Sequence, residues 1–175
     1  MKKILLILSL LIGTSSFAAS KVKTDQKFTA LIESVFTQPI VITDPRLSQG
    51  KHFNYKSFKN LSNKTEKKSL ISNYLKLQDI NVIEGEKETL VVKSRNSIKM
   101  GIPVYNETFP SDLREQMITV VMSIPKHLQK QGVARDLRSH YSKDGDIKVT
   151  ANKKKIIISD WVSNQKKILS IIKNL

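Results

Sequence analysis

Three kinds of hydrophobic spacing succeed one another along this chain. Residues 4–12 form an apolar run, interrupted only by Ser9, directly behind Lys2 and Lys3. Near the other end Ile147, Val149 and Ala151 alternate with polar residues, and a β-branched run over residues 156–158 follows the polar turn 152–155. Period two on both sides of a polar turn predicts a β-hairpin. Behind it, Trp161, Val162, Ile168, Leu169, Ile171, Ile172 and Leu175 recur at helical spacing, and Asp160 stands where a helix N-cap is expected.

The same signals divide the middle of the chain. Residues 21–23 predict a short edge strand. Thr24 or Asp25 caps a helix reaching Phe36, with Phe28, Leu31, Ile32 and Val35 on one face. Residues 40–42 read as a buried strand closed by the turn 43–46, where Pro45 ends the ladder, and residues 52–58 alternate as a strand with one wet face. Asn63 followed by Glu66 is a capping-box pattern, opening a helix to Leu77 whose buried stripe is Leu70, Ile71, Tyr74 and Leu75. Residues 80–83 and 89–93 flank the acidic turn 84–88 and predict a second hairpin. From 94 to 112 the pattern fades around Gly101, Pro103 and Pro110. A strand over 118–124, an extended exit over 125–128 and a helix over 130–141 follow.

The expected fold class is therefore α+β, with two small domains, each a mixed or antiparallel sheet packed with two helices. The boundaries are 21–93, a linker at 94–116, and 117–175. The second unit reads strand, helix, strand, strand, helix, with both helices on one face of a three-stranded sheet.

The opening apolar run is too short to span a bilayer and is followed by small residues. Residues 1–18 read as a secretory signal peptide cleaved after Ala18, which predicts an exported mature chain without a transmembrane segment. The full sequence carries 30 basic and 15 acidic residues. With Lys2 and Lys3 removed in the leader, 28 basic against 15 acidic residues leave +13. Such a field favours acidic surfaces and polyanions without defining a fold. Aromatic residues are sparse and not interleaved with the basic ones, so no nucleic-acid partner is expected. The chain has no cysteine, so no disulfide staples it.

Catalytic and metal chemistry find no support in the spacing. His52, His127 and His140 lie far apart and form no ligand motif. Asp144-Gly145-Asp146 matches a fragment of a calcium loop, but the remaining ligands and the distal glutamate are missing. No serine sits in a nucleophile elbow, and there is no glycine-rich phosphate loop. Glu84, Glu86 and Glu88 fall at a predicted hairpin tip, where carboxylates are solvated. No enzyme activity, no cofactor and no metal are expected.

Residues 40–50, Ile-Val-Ile-Thr-Asp-Pro-Arg-Leu-Ser-Gln-Gly, resemble the strand, Asp-Pro turn, glycine and strand of the first periplasmic domain of bacterial secretins, the outer-membrane channels of type II secretion and type IV pilus systems. Residues 137–142, the strand after Gly145, Ile156-Ile-Ile-Ser-Asp160 and the helix from Asn164 are similar to the next, KH-like (βαββα) secretin domain. The opening strand is reduced, the second hairpin turn is lysine-rich rather than acidic, and the sequence stops at Leu175 before further repeats and a channel domain. A stand-alone periplasmic partner or a truncated secretin is the expectation.

The resemblance implies a periplasmic protein-protein interaction module, associated with the outer-membrane secretin complex. Its implied partners are inner-membrane secretion or pilus components, with a homo-oligomer or a full-length secretin as a further one. It places docking around Asp44, Pro45, Arg46, Phe53 and Tyr55, and ring packing around Arg135, Arg138 and Tyr141. Two alternatives stand beside it. One is a signalling or adaptor domain related to those of TonB-dependent receptors. The other is a KH-like nucleic-acid binder, for which the required G-x-x-G loop is absent.

Overall fold

The computed structural model describes residues 26–48, 58, 61–129 and 132–174. The signal peptide, the strand expected at 21–23 and most of that expected at 52–58 lie outside them. Phe58, the one described residue of that second stretch, is helical and buried.

Two sheets organise the chain. The first has the order β1-β3-β2, built from β1 (Ile40–Ile42), β2 (Ile80–Glu84) and β3 (Thr89–Lys93). β1 runs parallel to β3, and β2 and β3 form the expected hairpin. Helices α1 (Gln26–Glu33) and α2 (Lys64–Leu77) accompany it. The α2 start is fixed as the capping pattern predicts: Asn63 Oδ1 accepts from the backbone N–H groups of Thr65 at 2.9 Å and Glu66 at 3.4 Å.

One hydrophobic core joins Phe28, Leu31, Ile32, Val35 and Phe36 to Ile71 and Leu75 of α2 and to Ile80, Val82 and Val91 of the sheet. Each such fully buried aliphatic side chain contributes about 2 kcal/mol. Leu70, expected in the α2 stripe, is instead 43% exposed. β1 is also less covered than expected, with Ile40 and Ile42 half-buried and Val41 exposed.

The second sheet has four strands, not three, in the order β4-β5-β7-β6. Its members are β4 (Val104–Asn106), β5 (Met117–Ser123), β6 (Asp146–Val149) and β7 (Lys155–Trp161). β4 lies within the stretch expected to be irregular and pairs in parallel with β5, Tyr105 opposite Val120. Three residues are too few to show a period, which is why the strand left no signal. The same stretch also holds the one-turn helix α3 (Ser94–Ser97), and Gly101 adopts the left-handed conformation at φ 77° that ends the following 3₁₀ turn.

The helix expected at 130–141 is short: α4 spans Val133–Asp136 and continues as a single 3₁₀ turn. The stretch before it is not extended, because Lys126–Leu128 is another 3₁₀ turn. Helix α5 (Val162–Asn174) closes the chain. As expected, one face of the sheet carries both helices: Met122, Ile156 and Ile158 share a core with Val133, Leu137, Ile168 and Ile172. Among these apolar contacts Gln165 is fully buried, and its amide nitrogen donates to the carbonyls of Ile118 at 3.3 Å and Ile158 at 2.7 Å. The helix is thereby held to both central strands.

Two local expectations are corrected. Trp161 ends β7 rather than beginning the helix, and Asp160 is a buried strand residue rather than an N-cap. The Asp160 carboxylate accepts from the N–H and hydroxyl of Ser142, at 2.8 and 2.6 Å, and from the Trp161 N–H and Asn164 side chain. The first turn of α5 is served from elsewhere: the Val162 N–H donates to the Gln116 carbonyl, and Glu115 accepts from the Ser163 hydroxyl at 2.9 Å and its N–H at 3.4 Å.

The faces of the two sheets turned away from their helices meet. Ile83 and Val92 of the first sheet form one cluster with Ile102, and with Met117 and Trp161 of the second, flanked by Leu90 and Ile98. Within that contact Asn81 Oδ1 accepts from the Met117 N–H at 3.1 Å.

Candidate functional site

The turn after β1 is shaped by its own residues. Asp44 is the N-cap of the 3₁₀ turn Pro45–Leu47, and its Oδ1 accepts from the Arg46 N–H at 3.0 Å. Pro45 sits where a missing N–H is harmless. The Arg46 guanidinium folds back on the same carboxylate, with Nε on Oδ1 and Nη2 on Oδ2, both at 2.9 Å. This bidentate pair holds the Asp44 carboxyl below its ordinary range and raises the Arg46 guanidinium. Leu47 is buried against the first core, and Thr43 donates through its N–H and hydroxyl to the Val91 carbonyl. Of the residues expected to dock a partner, the structure thus places Asp44, Pro45 and Arg46 on one hydrogen-bonded turn. Phe53 and Tyr55 lie outside the described residues.

Beside this turn a cleft of about 510 Å³ is lined by residues from both halves of the chain, among them Arg46, Asp79, Lys93, Arg95, Lys143 and Asp144. Lys143 reaches across to Asp79 at 2.7 Å, and that contact raises the Lys143 ammonium. Burial pushes the Asp144 carboxyl up, and the nearby Asp79 charge adds to the effect. Asp144 thus lines a cleft shared by the two halves of the chain. Among the described residues no cluster of three or more histidine, cysteine or carboxylate side chains is placed to hold a metal.

The other expected surface is split. Arg135 and Arg138 are exposed on the short α4 turn and the 3₁₀ turn behind it, and Arg135 makes a loose 3.7 Å pair with Asp136. Tyr141 instead packs against the core of the second sheet.

The residues between the sheets were absent from the expected sites. Arg114 donates to Glu84 at 3.0 Å, to the Val82 carbonyl at 3.0 Å and to the Ser72 hydroxyl at 3.4 Å, and its guanidinium lies 5.3 Å from the Phe36 ring centre. Burial lowers the Arg114 pKa, partly countered by Glu84. Burial also pushes the Glu84 carboxyl up, but Lys68 and Arg114 outweigh it and hold the group below its ordinary range. Glu84 is therefore not the freely solvated tip carboxylate that its position in a turn suggested. Lys76 makes a second clamp, donating to Glu115 at 2.8 Å and to the Ser163 hydroxyl at 2.7 Å beside the Trp161 ring.

No family model matches the chain. No curated protein matches it. Among solved structures it is similar to the N-terminal domain of the secretin XcpQ from Pseudomonas aeruginosa, with 14% identity and a TM-score of 0.31 over 85% of this chain and 58% of that one. A dimeric mutant of the same domain gives 14% identity and a TM-score of 0.30 over 84% of this chain. The chain spans 58% of the length of these XcpQ structures. No described helix is long and apolar enough to cross a membrane.

Proposed function

We propose that this chain is a periplasmic protein-protein interaction module of a secretin-type export apparatus, of type II secretion or type IV pilus kind. The observation that supports the reading most is the second sheet. Its β5, α4, β6, β7 and α5 follow the βαββα order of a KH-like secretin domain, with both helices on one face. To this the sequence adds the Asp44-Pro45 turn of the first domain and the leader. The division at residues 21–93 and 117–175 belongs to the same proposal, as does an exported, periplasmic location.

In this reading the chain works by recognition. The hydrogen-bonded turn at Asp44, Pro45 and Arg46 docks an inner-membrane component, and the exposed Arg135 and Arg138 pack against a neighbouring copy. The bonds within the turn favour such a role, since a surface already held in shape spends little ordering entropy on binding.

Site-specific photocrosslinking in the envelope tests it. A crosslinker at Arg46 is expected to capture an inner-membrane secretion or pilus protein, and one at Arg138 a second copy or a secretin. A monomer in solution with no secretion partner at either position overturns the reading.

A further inference from the structure

One end of the second sheet is rich in bases, and Glu107, the acid that reaches it, is taken up by the N–H and hydroxyl of Ser123. Residues 124–129, 132–135 and 149–155 contain no Asp or Glu, yet they carry Lys126, His127, Arg135, Lys153, Lys154 and Lys155. They meet in space: the Ile124 N–H donates to the Lys154 carbonyl at 2.8 Å, and the Gln129 side chain donates to the Ile124 carbonyl at 3.0 Å. Among the described residues Lys126, Lys153 and Lys154 form no ion pair. Lys68, Lys76 and Arg114 are each paired with a carboxylate near the junction of the sheets, whereas these three lysines are not.

At the centre of this end lies a groove of about 330 Å³ floored by Ile124, Leu128, Val133 and Ala134, with Val149 of β6 along one side and Arg135 and Lys153 also lining it. A shallower groove shares Ile124 and Gln129 with it and brings in Lys126 and Lys154. Beside it β6 is, among the described residues, the last strand of its sheet. Thr150 bonds Lys155 across the hairpin through its N–H. The alternation of an antiparallel ladder then turns the backbone N–H and C=O groups of Val149 and Ile147 outwards.

We propose that this end of the sheet binds an extended, acidic segment of a partner protein, which adds to the β6 edge, seats one apolar side chain in the groove and sets its carboxylates among Lys126, Lys153 and Lys154. An unpaired edge supplies main-chain bonds to an extended segment, and a pocket beside it reads alternate side chains. The groove favours a protein segment over a lipid surface. Its apolar lining encloses a groove of about 330 Å³ rather than forming a flat face, so a side chain can enter where a flat headgroup layer cannot. The proposal stands apart from the secretin-type reading.

The test uses the mature chain and a fluorescein-labelled peptide alternating glutamate and valine around a central leucine, followed by anisotropy. Binding is expected, weakening as salt is raised, with amide shifts at Ile147 and Val149 in nuclear magnetic resonance spectra. Lys153→Glu with Lys154→Glu is expected to weaken it about tenfold or more, while Lys167→Glu with Lys173→Glu, exposed on α5, leaves it unchanged. Val149→Asp, at a position already 37% exposed, is expected to weaken binding with an unchanged circular dichroism spectrum. The proposal is overturned if the acidic peptide does not bind, if its glutamine counterpart binds equally well, if the Lys153/Lys154 variant binds like the parent, or if phosphatidylglycerol vesicles bind and the peptide does not.

Discussion

The side-chain carbonyl of Asn81, on β2, accepts a hydrogen bond from the backbone N–H of Met117, the first residue of β5, at 3.1 Å. Both residues are buried, and this polar contact lies beside the apolar cluster that joins the sheets. A buried N–H left without an acceptor costs its full desolvation. Asn81→Ala should therefore lower stability by about 2 kcal/mol, read as a fall in the urea midpoint. An unchanged midpoint would mean that this hydrogen bond contributes little to folding.

Arg114→Ala removes three hydrogen bonds and a cation-π contact in one step. It should cost about 2 kcal/mol, because the Val82 carbonyl loses its side-chain donor and the Phe36 face its cover. Glu84 is 38% exposed, so solvent screens its charge. A double-mutant cycle of Arg114→Ala with Glu84→Gln should give a coupling of about 1 kcal/mol.

Acidification should act through the same pair. Glu84 titrates lower in the fold than in the unfolded chain. Its contribution is therefore present above the ordinary glutamate range and is lost as pH falls through the lowered folded value. Urea denaturation at stepwise lower pH should show the gap between the parent chain and Glu84→Gln closing. Asp144 works in the opposite sense, since its folded value is raised. Asp144→Asn should gain stability relative to the parent as pH rises through the carboxylate range. A gap that does not respond to pH would separate these carboxyls from stability.

At Gly145, a Cβ would sit 2.9 Å from an Asp160 carboxylate oxygen and 3.2 Å from the Ser159 carbonyl. The carboxylate cannot retreat without breaking its bonds to Ser142. Gly145→Ala should cost about 2 kcal/mol. Asp160→Asn, which faces the Ser142 donors with a weaker acceptor, should be destabilising too, and both are read by thermal melting.

Calorimetry provides a further check on the joint. Because Ile83, Val92, Met117 and Trp161 belong to one cluster, the two sheets should melt in one transition whose calorimetric and van't Hoff enthalpies agree. Two resolved transitions would show the sheets to be independent.

Much of the fold was legible because its signals are local. The Asn63 cap, the 80–93 hairpin, the alternation around the 152–155 turn and the helical stripe through Ile168 and Ile172 depend on residues close in sequence. What escaped was set by distant partners. β4 is three residues long and becomes a strand through its pairing with β5. Asp160 reads as a cap because only the folded chain places Ser142 against it.

The joint between the sheets has a signal of its own in the sequence. Ile80, Val82 and Ile83 include both parities of β2, and Leu90, Val91 and Val92 do the same in β3. A strand apolar on both sides needs cover on both sides. Helices account for one face, so the other required the second sheet. Arg114 and Glu115, placed in a linker by their neighbours, follow from that: a chain crossing such a joint brings its polar side chains into contact with both halves. At the candidate docking turn the Asp-Pro-Arg run was visible in sequence, whereas the folding of Arg46 onto Asp44 depends on rotamers that no spacing reveals.

The shared joint also gives the molecule a mechanical character. Side chains from both sheets interlock, while Arg114 and Lys76 bolt the first half to the second. Parting the halves therefore means breaking apolar and polar contacts together. The turn at Pro45 belongs to the first half and the lysine-tipped hairpin beyond Val149 to the second, so a pull between them loads this joint.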